Sequence, residues 1–235
     1  MAKAANLASA KRARRTKKKR AGDQETFGFM RWGGARKGAG AKRKAARQQV
    51  PHLTRGRVTR HEPLHITVRL VDDAPSLRTA KAREVFRRSV DRANKRGVVR
   101  VVHYSVQSNH IHMIVESADR ESLTSGLRGL LVSLARTLNT LWNRVGQLIA
   151  DRYHDQVLKT PTQVRNALNY VLNNHKHHRS SQNAGLDAHA SGAWFDGWRS
   201  SLHPDELVRA GHRVVANAHS WLLSKGWRRQ GLLAS

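Results

Sequence analysis

The sequence predicts an α+β domain of the ferredoxin-like kind, a βαββαβ sandwich in which helices pack on a four-stranded sheet. Short segments alternate apolar and polar residues with the two-residue period of strands, and longer segments repeat apolar residues at helical spacing. These segments follow one another as strand, helix, strand, strand, helix, strand. An additional helix follows the last strand, and a basic arm that we expect to be disordered precedes the first.

The first half of the predicted domain consists of a strand, a helix and a hairpin. Residues 64–70 alternate as a strand does, and residues 76–95 carry apolar side chains at helical spacing before Gly97 ends the helix. Residues 98–106 and 110–116 are two further strands. Because only a short turn separates them, we expect an antiparallel hairpin.

The second half contains a long apolar helix, a short strand and the additional helix. A leucine stripe between Glu121 and Arg144 predicts a helix that packs in the core. A shorter strand is predicted near residues 153–158. Thr160, Pro161 and Gln163 then supply a helix start, with proline at the first helical position and a Thr/Gln capping box. This additional helix should run to about residue 178, and residues 204–221 predict a last helix.

The charge of the chain points to a polyanionic partner. Its 235 residues carry 44 Lys and Arg against 16 Asp and Glu, a formal net charge of +28. Nucleic acid is the first candidate. A membrane partner is not expected, because the chain has no basic amphipathic helix with apolar residues opposite and no apolar run of spanning length. With no cysteine, disulfides and thiolate metal sites are excluded.

The same charge divides the chain into three predicted parts. Residues 1–60 hold nineteen Lys or Arg against Asp23 and Glu25, with too few apolar side chains to fold alone. This arm either tracks phosphates, with Arg55 and Arg57 entering a minor groove, or is a solvated tail. Residues 61–180 form the folded domain, and residues 181–235 form a C-terminal tail.

Two short motifs carry the candidate chemistry. His110 and His112 are separated by one residue of a strand, so both side chains point to the same face, where two imidazoles can bind a divalent cation. Two polar strand residues that face solvent or a helix would give the same pattern. Tyr170 and Asn174 are four residues apart on the additional helix and therefore share one helical face. Together these four residues would combine two imidazoles, a third ligand and a phenolic nucleophile.

This combination resembles the HUH-superfamily single-tyrosine transposases, most closely the REP-associated tyrosine transposases (RayT-like). The resemblance rests on the strand motif His110-Ile111-His112 and on the helix motif Tyr170-Val171-Leu172-Asn173-Asn174, 58 positions beyond the second histidine. It covers roughly residues 64–178. Asn174 stands where some relatives have glutamine, and His175 stands where an Asn-Pro step is common in relatives.

The resemblance implies a function, a cofactor and partners. Tyr170 would attack a phosphorus of single-stranded DNA and form a 5′-phosphotyrosine. Mg²⁺ or Mn²⁺ would be held by His110, His112 and Asn174. The DNA would be a hairpin or repeat sequence, and the protein a monomer or homodimer of the bacterial cytoplasm, associated with the nucleoid when bound to DNA. Two alternatives stay open: a replication or mobilisation nickase, and a DNA-binding protein of the same fold that has lost cleavage.

Other residues are weaker candidates, each with two interpretations. Tyr104 and Tyr153 suit packing or a DNA contact better than the role of nucleophile. Histidines at the end of the additional helix form either a second metal cluster or a basic helix end that touches phosphate; these are His175, His177 and His178. Trp194 and Trp198 either stack on unpaired bases or pack within the tail. The arginines and lysine expected to contact nucleic acid are Arg55, Arg57, Arg87, Arg88, Lys176 and Arg179.

Overall fold

A computed structural model describes residues 55–178, 185–202 and 204–234. The first 54 residues of the predicted arm, and Arg179, therefore lie outside the described residues. Within the described residues no helix combines the length and apolar character needed to cross a membrane. Residues 55–60 were predicted to belong to the arm, but Val58 among them is buried in the hydrophobic core.

Four antiparallel strands form one sheet. They are β1 (Leu64–Arg69), β2 (Arg100–Val106), β3 (His110–Glu116) and β4 (His154–Val157), in the spatial order β2-β3-β1-β4. Helix α1 (Ala80–Arg96) connects β1 to β2, and helix α2 (Arg120–Leu141) connects β3 to β4. The chain therefore crosses the sheet as βαββαβ, which confirms the predicted ferredoxin-like class.

Helices α1 and α2 begin and end at residues suited to those positions. The hydroxyl of Thr79 accepts a hydrogen bond from the backbone N–H of Ala82, and the carboxylate of Asp119 accepts one from that of Ser122. Helix α1 ends at Gly97, whose φ of 71° lies in the left-handed region that favours glycine. The leucine stripe of α2 is buried as predicted, so both helices pack on one face of the sheet.

Helix α3 (Pro161–His178) lies on the opposite face and has the predicted bounds. The hydroxyl of Thr160 accepts from the backbone N–H of Gln163, and the side chain of Gln163 accepts from the backbone N–H of Lys159. In the usual capping box the Gln163 side chain would bond the backbone N–H of Thr160 itself. Here it bonds the N–H of the preceding residue, Lys159. The buried side of α3 packs on Val102 and Ile114 of the sheet.

The C-terminal segment, residues 185–202 and 204–234, contains only short helices. These are 3₁₀ turns at Gly192–Trp194 and Gly226–Gln230 and two α-helices, α4 (Pro204–Ala210) and α5 (Trp221–Ser224). The prediction of one helix over 204–221 is therefore wrong. Helix α4 stops before Gly211, whose φ of 71° breaks the helical path.

This segment covers the outer edge of β2. The backbone N–H of Val106 donates to the carbonyl of His189, and that of Ser191 donates to the carbonyl of Tyr104. Arg78 forms a two-pronged ion pair with the buried carboxylate of Asp187. Together these contacts satisfy backbone groups that an edge strand would otherwise leave unpaired.

Candidate active site

The two histidines of β3 lie together on the face that α3 only partly covers. His110 and His112 point to the same side of the sheet, with ring centroids 4.9 Å apart. The side chain between them, Ile111, is fully buried on the α1 and α2 side. The predicted same-face arrangement is thus present, and the helix beside it is the one that carries Tyr170.

Tyr170 reaches these histidines from α3. Its ring centroid lies 5.1 Å from that of His112 in an edge-on arrangement, and the residue remains 40% exposed. The chain has three tyrosines in all. Tyr104 lies in the opposite core against Phe86, where burial raises its pKa to about 12. Tyr153 is also buried in that core, so Tyr170 is the tyrosine beside the histidines.

Asn174 lies one helical turn beyond Tyr170 and is fully buried. Neither polar atom of its side-chain amide forms a hydrogen bond with any of the residues that the structure describes. A buried amide without partners is unfavourable by roughly 1–3 kcal/mol. The amide of Asn174 therefore has an unused acceptor oxygen at a helix position next to the tyrosine, which suits a bound cation.

His65 belongs to the same cluster and was not among the predicted site residues. Its Nε2 lies 3.2 Å from Nδ1 of His112, and its ring centroid lies 5.8 Å from that of Tyr170. Burial, with a smaller contribution from the charge of His154, lowers the pKa of His65 to about 4. The imidazole of His65 is therefore neutral at pH 7 and can either donate or accept a hydrogen bond.

Thr67 completes the contacts of β1 with His112. Its Oγ1 lies 3.2 Å from the same Nδ1 atom, because the strand register sets Thr67 opposite His112. With Nδ1 engaged by β1, Nε2 is the ring nitrogen of His112 that would bind a cation. His65 and Thr67 alternate with buried residues along β1, so their shared face was readable from the sequence, but their pairing with β3 was not.

The candidate ligands for a divalent cation are two imidazoles and one amide oxygen. The described residues hold no group of three or more His, Cys, Asp or Glu side chains placed to bind a metal. A cation here would depend on two imidazoles, from His110 and His112, with the amide oxygen of Asn174 as a third ligand. Imidazole together with an oxygen ligand is a set that Mn²⁺ accepts more readily than Mg²⁺ does.

The arginines expected to contact nucleic acid have varied surroundings. Arg87 is 7% exposed and donates to the carbonyl of His212, so it is a packing residue and not a candidate phosphate contact. Arg55 stacks on the ring of Tyr153 and pairs with Asp155, which anchors it to the domain. Arg88 is exposed and pairs with Glu84 on α1. Arg57 is exposed, whereas the side chain of Lys176 and all of Arg179 lie outside the described part.

The two tryptophans expected either to stack on bases or to pack are packing residues. Trp198 is buried, and its indole N–H donates to the carbonyl of Gly192. Trp194 is partly buried against the main core with the guanidinium of Arg87 over its ring. Both rings therefore pack within the domain.

Comparisons with known proteins identify no sequence family for this chain but do find structural similarity. No protein-family model matches the chain, and no curated protein matches it. Among solved structures, the chain is similar to a REP-associated tyrosine transposase bound to a REP hairpin, with a TM-score of 0.49 and 12% sequence identity. That match covers 72% of this chain and 93% of the other. The assignment of the fold therefore rests on the strand order and register of this chain itself.

Proposed function

We propose that this protein is a metal-dependent transposase that cleaves and rejoins single-stranded DNA through a covalent bond to Tyr170. The observation that carries the proposal is the position of the Tyr170 ring, exposed and 5.1 Å from the ring of His112. The net charge of +28 supports a DNA substrate. The two-histidine and tyrosine motifs, which resemble those of REP-associated tyrosine transposases, support the reaction type.

The reaction conserves the energy of the phosphodiester bond. The phenol oxygen of Tyr170, having lost its proton, attacks a phosphorus of the DNA strand. A bond forms between this oxygen and phosphorus, and the bond from phosphorus to the 3′-oxygen breaks. The 3′-oxygen takes up a proton and leaves as a hydroxyl, while the 5′ end stays on Tyr170 as a phosphotyrosine. Attack by a second 3′-hydroxyl reverses these steps and releases the tyrosine.

The residues around Tyr170 have distinct roles in this reaction. His110, His112 and Asn174 would hold Mg²⁺ or Mn²⁺, which when bound polarises the scissile phosphate and stabilises charge that develops on its oxygens. His65 and Thr67 hold the ring of His112 by Nδ1. Tyr170 is 40% exposed, so a DNA strand can reach its ring from solvent.

Trapping the covalent adduct tests the proposal. The protein is incubated with a labelled single-stranded hairpin oligonucleotide and Mn²⁺, denatured, and digested so that the DNA-bearing peptide can be identified by mass spectrometry. We expect DNA on Tyr170 in the wild-type protein and no adduct in Tyr170→Phe. The variant should keep its folded structure and its affinity for the oligonucleotide, because the substitution keeps the aromatic ring and removes a single hydroxyl.

The outcomes separate the alternatives. DNA attached to Tyr104 or Tyr153 would contradict the assignment of the nucleophile. An absence of adduct with every divalent cation, together with intact hairpin binding, would favour a DNA-binding protein that does not cleave. An adduct on Tyr170 that persists in excess chelator would rule out the metal.

A further inference from the structure

The outer side of helices α1 and α2 has a basic groove that the proposed reaction does not use. The groove runs between the two helices, on the sheet face opposite Tyr170. Arg92 and Arg96 of α1 line one side, and Arg128 and Arg136 of α2 line the other. All four arginines are exposed.

Small residues of α2 form the floor of this groove. A Cβ added at Gly126 would lie 2.6 Å from Cβ of Val99, so α2 packs too closely there for any side chain. A Cβ added at Gly129 would lie 3.7 Å from Nη1 of Arg96, which shows that this guanidinium already reaches across the groove. The hydroxyl-bearing residues Ser125 and Ser133 line the same floor.

The arginines of the groove lack carboxylate partners. Within the described residues, Arg96, Arg128 and Arg136 form no ion pair with an acidic side chain. The nearby acidic residues of α1 are used elsewhere, since Glu84 pairs with Arg88 and Asp91 pairs with Lys95. Uncompensated arginines around a hydroxyl-lined groove attract an anion with several charges, and their planar donors suit phosphate oxygens.

The spacing and the chemistry of the groove favour the backbone of a duplex. Arg128 and Arg136 are eight residues apart on one helix, about 12 Å along its axis, a distance over which a DNA strand presents three or four phosphates at about 3.4 Å each. No aromatic side chain lines the groove within the described residues. Single-strand binding surfaces commonly stack bases on aromatic rings, whereas contacts with phosphate alone are enough to hold a duplex.

From these observations we propose that the groove between α1 and α2 binds the phosphate backbone of double-stranded DNA. This binding is independent of base sequence and of the chemistry at Tyr170. The protein then holds a duplex segment on its helical face, while the opposite face of the sheet receives the single strand of the proposed function.

The salt dependence of duplex binding tests the groove. The groove variant replaces Arg96, Arg128 and Arg136 with glutamine in the full-length protein. A control variant replaces three exposed basic residues away from the groove, Lys159, Arg199 and Arg229, and so removes the same charge. Affinities for a blunt duplex of arbitrary sequence and for one of its single strands are measured over a range of salt concentrations.

For the duplex, the slope of log affinity against log salt concentration should be shallower by about 2.7 in the groove variant than in the wild-type protein. This is about 0.9 for each phosphate that the protein no longer neutralises. The control variant should flatten this slope by much less, and single-strand binding should be affected about equally in both. Equal flattening by the two variants, or an unchanged slope in the groove variant, would overturn the proposal.

Tyr170→Phe separates this test from that of the proposed function. Its duplex affinity and salt slope should equal those of the wild-type protein, because the groove lies on the other face. Failure to form a covalent adduct would therefore leave the groove result intact, and failure of the groove result would leave the adduct intact.

Discussion

The two faces of the sheet are built from the same strands but have opposite properties. Toward α1 and α2, Ile111 and Met113 of β3 are fully buried in a continuous core. Toward α3, His110 and His112 contact each other, and His112 contacts the exposed Tyr170. Because one well-packed face is enough to hold an antiparallel sheet, the part of the second face next to the α3 core at Ile114 is available for polar groups. Alternate residues of β3 thus have different roles: Ile111 and Met113 stabilise the fold, whereas His110 and His112 belong to the candidate site.

Two adjacent residues of β3 that point to opposite faces should give opposite effects when they are substituted. His112→Ala should reduce covalent adduct formation by ~100-fold or more, since partners that only orient metal ligands are already worth 10–100-fold. Met113→Ala should instead lower the free energy of unfolding by about 2–5 kcal/mol, because it removes a buried side chain and leaves a cavity. Chemical denaturation and adduct yield per folded molecule measure the two effects.

The opposite result would show that the histidine face is not specialised for the reaction. If Met113→Ala abolished the adduct in the folded protein, or if His112→Ala left adduct formation unchanged, the histidine face would not be the reacting surface. His61→Ala is a suitable control for removal of a histidine, because His61 is exposed and outside the cluster.

The α3 side of the sheet is itself divided by what covers it. His103 of β2 lies beneath the C-terminal segment, with its Nδ1 3.2 Å from the hydroxyl of Ser191 and its ring against Phe195. Burial, with a smaller contribution from Arg213, lowers the pKa of His103 to about 3. At the candidate site His112 is also buried, but the rings against it are those of His65, His110 and Tyr170, and His110 is only partly buried.

The pH dependence of stability should reveal this covering. His103 is neutral in the folded protein down to about pH 3 but binds a proton below about pH 6.5 when unfolded. The unfolded state therefore holds more protons between these values, and the free energy of unfolding falls as pH decreases, by up to ~1.4 kcal/mol per pH unit for one histidine. His65, whose pKa is lowered to about 4, acts in the same direction.

His103→Gln isolates the contribution of the covered histidine. Between pH 6.5 and 5 the free energy of unfolding of this variant should fall less steeply as pH decreases, by up to ~1.4 kcal/mol per pH unit. His61→Gln should keep the pH dependence of the wild-type protein. Denaturation curves at several pH values provide the measurement. An unchanged slope in His103→Gln would show that the C-terminal segment does not bury this imidazole in solution.

The sequence predicted the parts of the fold that local patterns determine. The alternation of β3 placed His110 and His112 on one face, and the residues Thr160 to Gln163 located the start of α3. Local patterns do not contain strand pairing, so His65, 47 residues before His112, was missed as a member of the site. The composition likewise did not distinguish Arg55 and Arg87, which pack within the domain, from arginines that remain exposed. The C-terminal segment has no periodicity long enough to predict its short helices.

The smallest expected effect concerns Thr67, which joins the two central strands at the site. Thr67→Val keeps the shape of the side chain but removes the hydroxyl that contacts Nδ1 of His112. His65 still contacts the same atom, so we expect only a rise of ~10-fold or less in the Mn²⁺ concentration needed for half-maximal adduct formation. Thr67→Ser should restore the wild-type requirement, since it returns the hydroxyl. A valine variant with a lower melting temperature and an unchanged Mn²⁺ requirement would show that Thr67 serves the sheet alone and does not orient His112.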